Sequence, residues 1–376
     1  VSQEDAVSVF SAASPFELYI YRHIRVIHVI KICLALVIAH LINSAFPVPY
    51  FTWTSVTIVI IMLTLPQVGG ALEKSIQRII GTCIGALYGI GILFITSNTW
   101  LIAFLAMLGI AFTAYQATRK MGYAYLVAGF TLIMVLDGGS LSLQEAYWRT
   151  GTILLGCVIA LCVSLYVLPL KARNEWRWQL SESLKLMGQI WLAHLSPNVV
   201  KPLATKKLLK KVERAIQRQK SLLRSVVLES TPLRRHQGLL EELIVVQNRC
   251  LTILELIAQT RWENTDSANI IQHLFRAGFF GRELGHDLLT LSVYTAGKQR
   301  NLPDVRQQDL GQFKEKMQYV LQTEDEPFHL NAHGYAWLIY QASQQVELLL
   351  SLVRQLAELT TKLETLESSI DIGDHL

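Results

Sequence analysis

Three cations stand inside or at the mouths of long apolar runs: Lys31, Arg78 and Arg149. An ionised side chain at membrane depth is costly, so such groups are the first candidates for function. A lysine or arginine there can replace water around a carboxylate, arginine through two parallel N–H donors. Lys31 lies five residues after Val26, with His28 nearly one turn earlier and His40 nearer the far end of the run. Two readings of Lys31 stand side by side: a cation that attracts an anionic substrate, and a side chain that snorkels along its own stem to the headgroups. Arg78 opens the third apolar run and Arg149 the sixth, and each has a glycine seven residues on, Gly85 and Gly156. If three spans form one repeat, their odd number inverts the second copy, setting the two arginines at opposite mouths as alternating access requires. The plainer readings are an anchoring cation for Arg78 and a pairing with Asp137 or Glu145 for Arg149.

Proton coupling needs a group whose charge changes in the working pH range, and apolar surroundings can shift a carboxylate or histidine into it. Asp137, ahead of Gly138-Gly139, and His40 are the available groups. Their plainer readings are a turn aspartate outside the membrane and an interfacial histidine. Metal and enzyme chemistry find little support. His329 and His333 have the i,i+4 spacing of a ligand pair, but Asn331 and Gly334 argue for a loop or helix start, and no third ligand follows. No phosphate-binding glycine loop and no Gly-x-Ser-x-Gly elbow are present, so no cofactor is expected.

The elements that must position these groups follow from charge and hydropathy. Of 376 residues 51% are hydrophobic and 17% charged, against about 25% charged in an ordinary soluble domain. Charged residues number 14 in the first 170 positions and 49 in the remaining 206. The expected architecture is all-α: an interfacial N-terminal helix in residues 1–25, a six-helix transmembrane domain over 26–170 and a cytoplasmic helical domain over 171–376. A net charge of +5 is too small to argue for nucleic acid. The N-terminus carries Glu4 and Asp5 rather than a basic signal region, so the first apolar run is read as a span.

Six runs, 26–46, 51–65, 79–96, 100–118, 121–136 and 150–168, fit a hydrocarbon core of about 30 Å, the shorter ones with tilt or interfacial ends. Pro47 and Pro49, Pro66 with Gly69 and Gly70, Ser97-Asn98, Gly122, Gly138-Gly139 and Pro169 break the pattern between and after them. Arg22 and Arg25, Lys74 and Arg78, Arg119 and Lys120, and Lys171, Arg173 and Arg177 all fall on one side of the six spans. The positive-inside rule places that side, and both termini, in the cytoplasm. Trp53, Trp100 and Trp148 each open an even-numbered span at the outer surface and agree with this. Ser14-Pro15-Phe16-Glu17 has capping-box spacing and would start the interfacial helix. In the third span Gly81, Gly85 and Gly89 clear one face for close helix packing, or for lining a pathway.

The second half reads as amphipathic helices over 174–195, 202–228, 232–262, 267–298, 304–322 and 333–367. Residues 201–235 hold eleven basic side chains against Glu213 and Glu229. Such a stripe can bind anionic headgroups or gather an anionic substrate; the alternative is a solvated face balanced by Glu241 and Glu242. Four cysteines lie in apolar runs and Cys250 in a charged helix, which argues against disulfides and zinc.

One pattern runs through these residues: Trp53 opening an apolar helix, Pro66 ending it, Gly69-Gly70, Lys74, and Arg78-Ile79-Ile80-Gly81-Thr82-Cys83-Ile84-Gly85-Ala86. With Lys31, the segment 149–156 and the helical second half, it resembles the fusaric acid resistance family, also called aromatic acid exporters, over nearly the whole chain. The resemblance implies a bacterial inner-membrane exporter of aromatic or other organic carboxylates driven by the proton gradient. In that cycle Lys31 and Arg78 compensate the carboxylate, Trp53 contacts the ring and the basic helical half collects substrate. Plant aluminium-activated malate channels are more distant relatives, so a passive anion channel is the implied alternative. A membrane scaffold whose cytoplasmic bundle binds a protein or lipid is the reading outside transport. Many family members carry two membrane halves and some use a periplasmic adaptor; the single half here implies a homodimer and leaves the adaptor open.

Overall fold

The computed structural model describes residues 23–64, 67–119, 121–136, 143–194, 202–259, 281–297, 315 and 326–373, and among them every regular element is a helix. The chain divides into two compact units, one over Phe16–Ala172 and one that takes in Arg173–Leu376. The first holds α1 (Ile24–Ala45), α2 (Thr52–Thr64), α3 (Val68–Ile95), α4 (Thr99–Gln116), α5 (Gly122–Leu136) and α6 (Leu143–Tyr166). Four of these, α1, α3, α4 and the Trp148–Tyr166 part of α6, are long and apolar enough to cross a membrane, while α2 and α5 are apolar but shorter.

Two helices begin earlier than hydropathy predicts. α3 starts at Val68 rather than near residue 79, so Gly69 and Gly70 lie inside its first turn instead of breaking the chain. Both are buried, and the Val68 N–H donates to Leu170 O at 3.1 Å, pinning the start of α3 against the segment that follows α6. α6 starts at Leu143, so Arg149 sits six residues inside the helix rather than at its mouth. Between α3 and α4 the expected break is a helix start: the Asn98 side chain accepts from Trp100 N–H at 3.0 Å as an N-cap.

Helix association in lipid relies on van der Waals fit and on small residues that let backbones approach. One apolar cluster joins Ala35 and Ala39 of α1, Ile58, Ile61 and Met62 of α2, Ala71 of α3, and Ile153, Cys157 and Ala160 of α6. α4 is different: only Gly109 is buried on it, and Trp100, Phe104, Met107 and Phe112 are exposed, as suits a helix that faces hydrocarbon.

The second unit contains α7 (Ala172–His194), α8 (Pro202–Glu229), the short α9 (Thr231–Arg235), α10 (Gln237–Gln259), α11 (Gly281–Thr295) and α12 (Glu326–Gly373). The single helix expected over 232–262 is two, divided at His236. α8 buries Val212, Ile216, Leu222 and Val226 and exposes Lys206, Lys207, Lys210, Lys211, Arg214, Lys220 and Arg224. The Ser14 capping box, Pro66, Lys120, Asp137 and nearly all of the helix expected over 304–322 lie outside the described residues. So do the side chains of Glu145, His329 and His333.

Candidate functional site

Helical spacing puts Ser75, Arg78 and Thr82 on one side of α3, with Arg78 about 4.5 Å along the axis from Ser75 and Thr82 about 6 Å further. All three are buried, Arg78 at 4% exposure. Arg78 Nη1 donates to Tyr123 Oη on α5 at 3.2 Å, and its charge also reaches Cys157 on α6. Among the described residues no group accepts from Arg78 Nε, and none accepts from or donates to the hydroxyls of Ser75 and Thr82. Thr57 on α2 is in the same state. It faces α6 beside Cys157, because a Cβ added at Gly156 would lie 2.8 Å from Thr57 Cβ. α2 and α3 therefore converge on the Gly156–Cys157 turn, bringing buried N–H and O–H groups that have no partner.

Other helical hydroxyls turn back onto a carbonyl three or four residues earlier, as Thr113 does onto Ile110 (2.9 Å) and Thr152 onto Arg149 (2.9 Å). A buried polar group without a partner costs roughly 1–3 kcal/mol. A positive charge with surplus donors is what a carboxylate needs in place of its hydration shell.

The glycine stripe adjoins this face. A Cβ on Gly81 would collide with the Ala124 carbonyl, one on Gly85 with the Ala128 carbonyl, and one on Gly89 would come 2.9 Å from Val135 Cγ1. All three neighbours are on α5; at Gly81 and Gly85 the seam is backbone to backbone, and at Gly89 the backbone meets a side chain.

Lys31 is placed elsewhere. At 1% exposure it donates from Nζ to the carbonyl oxygens of Ser164 (3.3 Å) and Leu168 (3.4 Å), at the end of α6. An ammonium there meets carbonyls that helix termination leaves open, and the negative end of the helix dipole. Sequence reasoning offered substrate binding and snorkelling and missed this cap, since its partners are 133 and 137 residues away. Arg149 donates from Nη1 to Met134 O on α5 at 3.0 Å, and its guanidinium lies 5.4 Å from the ring centre of Tyr50. Trp53 packs against the apolar cluster and meets Phe130 edge-on, 6.2 Å between centroids. His40 is exposed, with Nδ1 3.2 Å from Leu36 O on its own helix and its ring edge-on to Phe51 at 5.2 Å.

In the second unit Trp176 Nε1 and Gln345 Oε1 are also buried without a partner among the described residues, but one polar cluster is closed. Ser183 on α7, Gln219 on α8 and Gln247 on α10 are fully buried and bond to one another. Ser183 Oγ donates to Gln247 Oε1 at 2.6 Å; Gln219 Nε2 donates to Gln247 Oε1 at 3.0 Å and Gln247 Nε2 to Gln219 Oε1 at 2.9 Å. Arg218 leaves the basic face to reach Glu175 on α7 at 2.7 Å. Burial pulls His194 down to about 4, keeping it neutral, and pushes the Cys250 thiol up to about 12, which makes it unreactive.

The sequence matches the Fusaric acid resistance protein family over residues 25–372. It is similar to Inner membrane protein YeeA of Escherichia coli (strain K12), 25% identical over 349 residues that cover 90% of this chain and 96% of that protein. It is also similar to Uncharacterized transporter YdhK of the same organism, 32% identical over 110 residues, 28% of this chain and 16% of that one.

Proposed function

This chain belongs to the fusaric acid resistance protein family, and from that premise we propose that it is an inner-membrane secondary transporter exporting organic, chiefly aromatic, carboxylates at the expense of the proton gradient. The first unit is the translocating part, with all six helices crossing and α2 and α5 partly interfacial. Both termini are cytoplasmic, which the basic residues ahead of the odd-numbered spans and after the sixth support. The second unit is a cytoplasmic helical domain whose exposed α8 cations raise the local concentration of anions. YdhK, matched over a shorter stretch, is named a transporter, in keeping with this reading.

The observation that carries the proposal is Arg78: a guanidinium buried at 4% exposure, held by Tyr123, with Nε unbonded among the described residues and lone hydroxyls one turn to either side. A carboxylate at Arg78 gains charge-assisted hydrogen bonds and relieves an uncompensated buried charge. Trp53 and Phe130 offer an aromatic edge for the ring of the substrate. Lys31 holds the end of α6 in place. His40 and Asp137 are the titratable groups proposed for the proton step, and two copies of the chain supply two membrane halves.

Uptake of radiolabelled benzoate into inverted vesicles, with and without an imposed proton gradient, tests this against Arg78→Gln. Gradient-dependent uptake that the variant loses at equal amounts of folded protein is the expected result. Uptake that ignores the gradient would replace the exporter with a channel, and no uptake of any aromatic acid would overturn both.

A further inference from the structure

The first unit repeats its own packing. Its two most extensive helix pairings among the described residues are α3 with α5 and α6 with α2. α1 touches α2 and α6; α4 touches α5 and α3. Exchanging α1 with α4, α2 with α5 and α3 with α6 maps this set of contacts onto itself.

The residues at the seams obey the same exchange. Arg78 and Gly85 are seven apart on α3, Arg149 and Gly156 seven apart on α6. Gly85 abuts the carbonyl of Ala128 and, for an added Cβ, lies 2.9 Å from Thr131 Cβ, three residues further along α5. Gly156 abuts the carbonyl of Thr54 and Thr57 Cβ, again three residues apart, on α2, both at 2.8 Å for an added Cβ. Each arginine also meets the tyrosine at the start of the helix its glycine touches: Arg78 bonds Tyr123 at 3.2 Å, and Arg149 stands 5.4 Å from the Tyr50 ring centre. Tyr50 does this from the left-handed region (φ 59), which costs a bulky residue roughly 1–2 kcal/mol and so marks a position held by its surroundings.

Three helices per copy is an odd number, so the two copies run through the membrane in opposite senses and their arginine ends face opposite sides. We infer that residues 24–95 and 99–166 are inverted three-helix repeats, and that Arg149 with Tyr50 forms a second organic-carboxylate site at the opposite mouth from Arg78 with Tyr123. The inference rests on the transport reading for its ligand. In each site a guanidinium faces the carboxylate and a tyrosine ring lies beside it. The α3–α5 and α2–α6 seams are equivalent, so loosening one while the other tightens exposes the two sites in turn.

The test places a cysteine at each tyrosine, Tyr123→Cys and Tyr50→Cys, in a cysteine-free background, and follows modification by a membrane-impermeant thiol reagent with and without benzoate. Tyr123→Cys is expected to react in inverted vesicles and Tyr50→Cys in right-side-out ones. Benzoate at three times its dissociation constant should slow both by about fourfold, the fall in empty sites at that occupancy. Met121→Cys and Val48→Cys, two residues away, report the same two faces if a tyrosine variant fails to fold. Reaction of both positions from one side, or protection by benzoate at only one or neither, overturns the inference. Wild-type vesicles that take up no benzoate while both cysteines are protected would instead overturn the transport reading and leave two binding sites standing.

Discussion

Two clusters of buried polar side chains, one in each unit, are satisfied to different degrees. In the second, Ser183, Gln219 and Gln247 close on each other from three helices, with every bond between 2.6 and 3.2 Å. In the first, Ser75, Arg78 and Thr82 are as deeply buried, yet the two hydroxyls and Arg78 Nε have no partner among the described residues. A closed network fixes helix register, because sliding any one helix breaks several bonds at once. An open set of donors costs stability until something else completes it. The difference separates a buried polar set that closes on itself from one that, on the transport reading, a ligand completes.

The most severe test removes the charge. Arg78→Gln is expected to cut carboxylate uptake by about 100-fold, since charge-assisted bonds contribute most to recognition, while the melting temperature stays the same or rises because a buried charge has gone. A fall in melting temperature with uptake intact would make Arg78 a structural residue like the glutamines. The reverse test is Gln247→Leu, which leaves Gln219 Oε1 buried without its donor and should cost about 2 kcal/mol. Uptake per folded molecule should not change. The Gln219→Leu/Gln247→Leu pair should cost less than twice as much, read from denaturant unfolding, because the second change removes a group already unpaired.

A smaller effect sharpens the contrast from within the first unit. Thr82→Val keeps the shape and removes one donor, so KM for benzoate should rise by about tenfold, and Thr82→Ser should restore it. Ser351→Ala in α12, where the hydroxyl already bonds to Leu348 O at 2.8 Å, should leave KM alone. The smallest expected effect is a pH dependence in the second unit. Burial holds His194 neutral with its pKa near 4 rather than 6.5. The unfolded chain therefore binds the proton first as pH falls, and stability drops below pH 6.5 and goes on dropping to about pH 4. Between pH 7.5 and 5.5 the loss should be about 1 kcal/mol. Thermal melts at the two pH values, compared with His194→Phe, check this: the variant should flatten the difference.

Much of this was legible before any coordinates. The bounds of α1, α4 and α5 lie within two residues of the hydropathy reading, because Pro47, Asn98 and Gly122 punctuate the chain there. α3 and α6 extend further because hydropathy stops at a charge whereas a helix does not: Arg78 and Arg149 find Tyr123, Met134 O and Tyr50 on other helices. Gln219 could have been read as special, since it interrupts the apolar stripe of Val212, Ile216, Leu222 and Val226. Arg78 was visible as a cation in an apolar run. Ser75, Thr82 and Thr57 were not, because small hydroxyls are common in helices and only the fold decides whether they bond back to the chain. The same holds for Tyr50 and Tyr123, which look like ordinary interfacial aromatics until their arginines are seen.

The most direct test of the difference between the units is thermal unfolding of the purified full chain in detergent as benzoate is raised, for the wild type, Arg78→Gln and Gln247→Leu. A ligand that binds only the folded state raises the melting temperature. The account predicts equal benzoate-dependent stabilisation of the wild type and of Gln247→Leu, from a lower starting point in the latter, and less in Arg78→Gln, which keeps only the site at Arg149. Stabilisation of Arg78→Gln equal to that of the wild type would contradict it.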